Sequence, residues 1–158
     1  MRARLSKQEL ILVAVRAEKA SFAVYTRAAA AARHPQVSRM LSQLARDELR
    51  HLVTLLTRFA KETPEILGAV DMAMPAPDEE MVRRLSAARS VEEVVRAAIH
   101  QEHESLVAYA QLGESVADDA RGVLQTIRRR ERRHITGLES LLRRAAGSSA
   151  VWEDDRAH

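Results

Sequence analysis

Residues 45–51 read ARDELRH and residues 128–134 read RRRERRH, so Glu48 precedes His51 and Glu131 precedes His134 by three positions. Thirty residues before Glu48 stands Glu18, and twenty-nine before Glu131 stands Glu102. The chain has two tyrosines, Tyr25 and Tyr109, and each follows one of these upstream glutamates by seven. The segments AEKASFAVY and QEHESLVAY are thus two copies of one unit, 84 residues apart, and the chain reads as a duplicated helical hairpin. Carboxylates and imidazoles in this ratio can do metal chemistry. Four carboxylates brought together without compensation repel one another and take up protons. Two divalent cations balance their charge, and oxygen-rich coordination with one imidazole per metal suits iron, manganese or, less distinctively, zinc.

That chemistry requires helices that carry the six side chains to one place. Residues three apart project about 60° from each other around a helix, so each Glu and its His share a face one turn apart. Residues seven apart are nearly in line, which places each tyrosine about 10 Å along the axis from its glutamate. Glu18 is fifteen residues from the turn near Arg33, and Glu48 is twelve residues beyond Gln36, so the two carboxylates reach similar heights. The glutamates also interrupt apolar stripes: Ile11, Ala14, Phe22 and Tyr25 flank Glu18, and Leu41, Leu44, Leu52 and Leu55 flank Glu48. An unpaired charge buried in such a stripe costs several kcal/mol.

The supporting elements are legible from breakers and caps. The spacing predicts helices over about 6–33, 36–62, 90–112 and 119–146. Ser6–Glu9 and Ser90–Glu93 have the form of capping boxes. Residues 63–89 form a long connection carrying three of the chain's prolines, with a short helix near 79–88. Its methionines read as cover for the core. Residues 1–147 form one domain, and 148–158 a flexible tail. Short, long and short connections in that order make two antiparallel hairpins joined by a crossover: an all-α, ferritin-like four-helix bundle.

Composition narrows the field. Among 158 residues aromatics make up 3%, and there is no cysteine, which excludes thiolate metal sites, iron–sulfur clusters and cysteine nucleophiles within these residues. No apolar run is long enough to span a bilayer, and the basic start lacks the apolar core of a secretory signal, so a cytoplasmic protein is expected. The net charge of +3 comes from 25 basic and 22 acidic residues that are interspersed, so nucleic acid is not an expected partner. The arginines of RRRERRH read as a solvated or interface-lining face. His100 and His103 lack partners in the repeat, and Glu104 reads as outward-facing.

The segments AEKASFAVY…LARDELRH and QEHESLVAY…IRRRERRH resemble the rubrerythrin-like branch of the ferritin-like superfamily of di-iron carboxylate proteins, over roughly residues 8–144. The resemblance implies Glu18, Glu48, His51, Glu102, Glu131 and His134 as ligands of two iron ions, with manganese or zinc as alternatives. It implies Glu48 and Glu131 as the bridges and Tyr25 and Tyr109 as tyrosines near the cluster. It further implies redox chemistry with peroxide or O2, such as peroxide reduction or ferrous oxidation, and a homo-oligomer, with a dimer favoured. Two departures stand out. Rubrerythrins often add a four-cysteine rubredoxin-type site, which these residues cannot build, so electrons are expected from an external donor. The extra carboxylate often found three residues after the ligand glutamate of the third helix is here Ser105. The alternative functions are iron storage or delivery of the ferritin type, which needs a multi-subunit shell, and a metal-free helical binding module.

Overall fold

The structure is a computed structural model and describes residues 4–61, 64, 75–113 and 115–147. Residues 63 and 65–74 of the 63–89 connection, with the expected core cover by Met72 and Met74, and the tail 148–158 lie outside the described residues, whereas the short helix expected near 79–88 is present. Helix α1 spans Lys7–Ala31, α2 Pro35–Phe59, α3 Glu79–Ser86, α4 Val91–Leu112 and α5 Arg121–Gly147, with a 3-10 turn at Asp118–Ala120 leading into α5. The chain is an all-α bundle in which α1 packs along α2 and α4 along α5, while α3 lies against α1. No helix among the described residues is long and apolar enough to cross a membrane.

Local chemistry sets the helix ends. At α1 the Ser6 hydroxyl accepts from the Glu9 amide at 3.2 Å, and the Glu9 carboxylate accepts from the Ser6 amide at 2.8 Å. This reciprocal cap satisfies two amides that the helix cannot, a gain of about 1 kcal/mol. α4 differs from the capping box expected there. Ser90 accepts from the Glu93 amide at 3.2 Å, but the Glu93 carboxylate reaches the amide of Arg89, one residue earlier, at 2.9 Å. α2 begins on Pro35 itself, because a proline at the first helical position loses no hydrogen bond and already has a helical φ. The Ser38 hydroxyl donates to the Ala29 carbonyl at 2.9 Å and ties the α1–α2 turn together.

The direction of the second hairpin follows from one contact. Leu5, just before α1, and Val116, just before α5, form an isolated parallel bridge. Leu5 donates its amide to Ser115 and accepts from Ala117 at 2.8 Å. The starts of α1 and α5 therefore share one end of the bundle, so these helices run parallel, and so do α2 and α4. The core falls into two apolar clusters. One contains Leu10, Ile11, Leu55, Phe59, Leu124 and Tyr109. The other contains Tyr25, Leu41, Leu44, Leu85, Val95 and Leu138. Between them lies a polar layer.

Candidate metal centre

Each long helix contributes one glutamate to that layer. Glu18 of α1, Glu48 of α2, Glu102 of α4 and Glu131 of α5 are 8%, 3%, 5% and 7% exposed. The apolar neighbours one and two turns away on each helix carry them inward, so burial of the stripe buries the carboxylates with it. Within each hairpin the two carboxyl groups are hydrogen-bonded to each other, Glu18 with Glu48 and Glu102 with Glu131. Two carboxyl groups can bond only if one keeps its proton. Burial first, and then the charge of Glu18, push Glu48 up to about 10. Burial and the hydrogen bond to Glu102 push Glu131 to about 10 as well. Each pair thus shares a proton, with Glu48 and Glu131 the more strongly raised members, although burial raises Glu18 as well.

The histidines close the ring between the hairpins. His134 Nδ1 lies 3.1 Å from Glu102 Oε1 and 3.9 Å from Glu48 Oε1. His51 Nδ1 lies 3.7 Å from Glu18 Oε2 and 3.8 Å from Glu48 Oε2. Burial opposes a charge on His134, but its bond to Glu102 outweighs this and raises its pKa. Burial would likewise raise Glu102, and the bonds from His134 and Glu131 bring it below the ordinary carboxylate value. Ligand atoms of Glu48, His51 and His134 all lie within 4.8 Å of one another.

Two atoms of the clustered carboxyl and imidazole groups are buried without a hydrogen-bond partner: Glu48 Oε1 and His134 Nε2. Orphaned groups of this kind are rare in a folded interior, where each costs about 1–3 kcal/mol. Both are electron-pair donors when deprotonated, and a divalent cation would satisfy them. The residues therefore fit a pair of such cations: four carboxylates to balance the charge and one imidazole on each side.

The tyrosines lie on opposite sides of the polar layer, one in each apolar cluster. This follows from the antiparallel course of α1 and α4, since a step of seven residues moves in opposite directions along the bundle. Burial, and then the charges of Glu48 and Glu102, raise the Tyr25 phenol pKa. Burial, and then Glu131 and Glu18, raise that of Tyr109. His100, His103 and Glu104 are exposed.

One opening reaches the layer, and a second cavity lies beside Tyr25. A groove of about 530 Å³ between α2 and α5 is lined by His51, His134, Asp47, Gln43 and Arg130. A cavity of about 320 Å³ among α1, α3 and α4 is lined by Tyr25, Gln101, Ser105 and Met81. The arginine run departs from a uniformly solvated face. Arg129, Arg132 and Arg133 are exposed, but Arg130 is 15% exposed and brings Nη2 to 3.6 Å from Glu18 Oε1. The duplication held a signal for this, because Arg130 occupies the position that corresponds to Asp47 in the first hairpin.

A family model described as Rubrerythrin matches residues 9–142, a span that includes the six clustered side chains and both tyrosines. No curated protein and no solved structure matches the chain. The chain belongs to the rubrerythrin family, a ferritin-like di-iron family.

Proposed function

We propose, starting from that membership, that the protein is a non-haem di-iron oxidoreductase that reduces peroxide or uses O2 to oxidise ferrous iron. The observation that carries the reading is the layer of four buried carboxylates and two imidazoles, with Glu48 Oε1 and His134 Nε2 lacking partners. Glu18, Glu48 and His51 would hold one metal and Glu102, Glu131 and His134 the other, with Glu48 and Glu131 shared. A reduced metal pair supplies electrons to the oxidant. Iron is the proposed occupant, and manganese or zinc would compete for the same donors.

The chain's own groups prepare the site. Glu48 and Glu131 carry protons in the metal-free state and release them when cations arrive, so binding and proton release are linked. The apolar clusters above and below shield the layer along the bundle axis and help fix the ligand rotamers, leaving the α2–α5 groove as its opening to solvent. The cavity beside Tyr25 is large enough for a small neutral oxidant, and Gln101 and Ser105 offer it polar contacts there. Tyr25 and Tyr109 would serve as hydrogen-bonding groups or as protective electron donors. Electrons arrive from an external donor, because the chain's 158 residues hold no cysteine for an iron–sulfur relay. A homodimer is the proposed assembly.

Rapid mixing tests the reaction. Anaerobic, ferrous-loaded protein mixed with peroxide or O2 should oxidise its iron much faster than an equal concentration of free ferrous ion, as followed by absorbance. Oxidation at the rate of free iron with both oxidants would reject the oxidoreductase reading.

A further inference from the structure

The duplication matches the six proposed ligands pair by pair, yet it sets Asp47 against Arg130, each one residue before the glutamate of its Glu-x-x-His. Both line the α2–α5 groove. They carry opposite charges to opposite halves of the centre. Arg130 Nη2 lies 3.6 Å from Glu18 and is buried without a hydrogen-bond partner. Asp47 accepts from Gln43 at 3.2 Å and pairs with Arg50, and its negative charge acts on His134. A cation approaching Glu18 and His51 therefore meets a guanidinium already beside the carboxylate. On the other half Glu102 pairs at 3.1 Å with His134, a group that can itself ligate a cation, and Asp47 adds its negative charge there, while Arg133 and Arg144 lie farther along the same groove wall.

The geometry points to stepwise metal loading: the first divalent cation occupies the Glu102–Glu131–His134 half, and the second occupies the Glu18–Glu48–His51 half only as Arg130 gives up Glu18. This rests on the two-metal reading of the site. A cation bound to Glu18 would stand within a few ångströms of the guanidinium, well inside the screening length of about 8 Å at physiological salt, and in a partly buried setting where like charges repel more than in water. Arg130 lies on the groove wall, so its long side chain has a path toward solvent. It is a positioning residue that acts through Glu18. Its effect is to leave a one-metal form of the protein populated over a range of metal concentration.

Titration of the metal-free full chain with Co2+, followed by calorimetry and visible absorption, tests this. The expected result is two binding events per chain whose dissociation constants differ by at least about tenfold, which corresponds to 1.4 kcal/mol. Arg130→Gln should tighten the weaker event and bring the two within about threefold, while Arg130→Lys, which keeps the charge, should retain the wider separation. Circular dichroism checks that both variants fold. His51→Ala should abolish the weaker event and spare the tighter, and His134→Ala the reverse, so the order can be read even if substitutions at Arg130 unfold the chain. Two equal events in the parent, an unchanged separation in Arg130→Gln, equal narrowing in both Arg130 variants, or loss of the tighter event in His51→Ala would each overturn stepwise loading while leaving the two-metal reading in place. No Co2+ binding by the parent would overturn the two-metal reading, and this inference with it.

Discussion

The imidazole rings of His51 and His134 meet edge to face, with centroids 4.6 Å apart and planes at 89°. One ring comes from each hairpin, so this contact is where the two halves of the duplication close on each other. Around it sit four carboxyl groups that would not share so small a volume as free anions. Without metal that charge is balanced by protons, and in the proposed metal-bound form cations would take their place.

Replacing either proposed bridge separates these two states. Glu48→Gln or Glu131→Gln keeps the size of a carboxyl group that already carries a proton at neutral pH, so the metal-free variant should unfold within about 1 kcal/mol of the parent. Metal affinity should fall by more than about 100-fold, beyond the loss typical of groups that only support a ligand. Thermal unfolding with and without added metal reads both quantities. Parent-like metal binding in either variant would show that the residue is not a bridge.

The metal-free protein should lose stability as pH rises. Glu48 and Glu131 have folded pKa values of about 10 against 4.5 in the reference state, so the folded chain holds protons that the unfolded chain releases. Their contribution is complete below about 4.5 and declines as pH rises toward about 10. His134, also raised, acts in the same sense above its ordinary value. Denaturant melts at pH 6 and pH 9 should therefore rank the metal-free protein as more stable at pH 6. Metal affinity should run the other way, since binding displaces the same protons.

Only two tyrosines are present, and burial raises both phenols above the ordinary value of about 10. An alkaline titration should therefore show no tyrosinate absorbance while the helical circular dichroism persists. The two signals should change together as the chain unfolds. Tyrosinate appearing first would place at least one ring outside the apolar clusters.

Gly137 lies inside α5, and a Cβ built on it meets nothing within 4 Å. Gly137→Ala should therefore stabilise the chain by about 0.5–1 kcal/mol, because glycine in a helix interior costs that much in backbone entropy. A melting temperature below that of the parent would mean that the groove beside Gly137 is narrower than described.

Much of this architecture is legible in the sequence because it rests on periodicity. Offsets of three and seven between Glu48 and His51 or Glu18 and Tyr25 translate directly into faces and heights on a helix, and the convergence of six side chains follows from them. Features that depend on gaps between helices are less legible. Composition alone does not separate Arg130, which folds back to Glu18, from Arg129 and Arg132, which face solvent; only its alignment with Asp47 across the duplication marks it. That choice depends on the groove left between α2 and α5. Similarly, Ser90 and Glu93 have capping-box spacing, but the approach of the chain offers Glu93 the Arg89 amide instead.

The central claim is that this layer of carboxylates exists to hold two metal ions. Elemental analysis of protein produced without added metal and desalted before measurement, alongside a Glu48→Ala, Glu131→Ala double variant, tests it most directly. The account predicts close to two transition-metal ions per chain in the parent, with iron predominant, and essentially none in the double variant. A parent that carries no metal, or a double variant that carries as much as the parent, would contradict it.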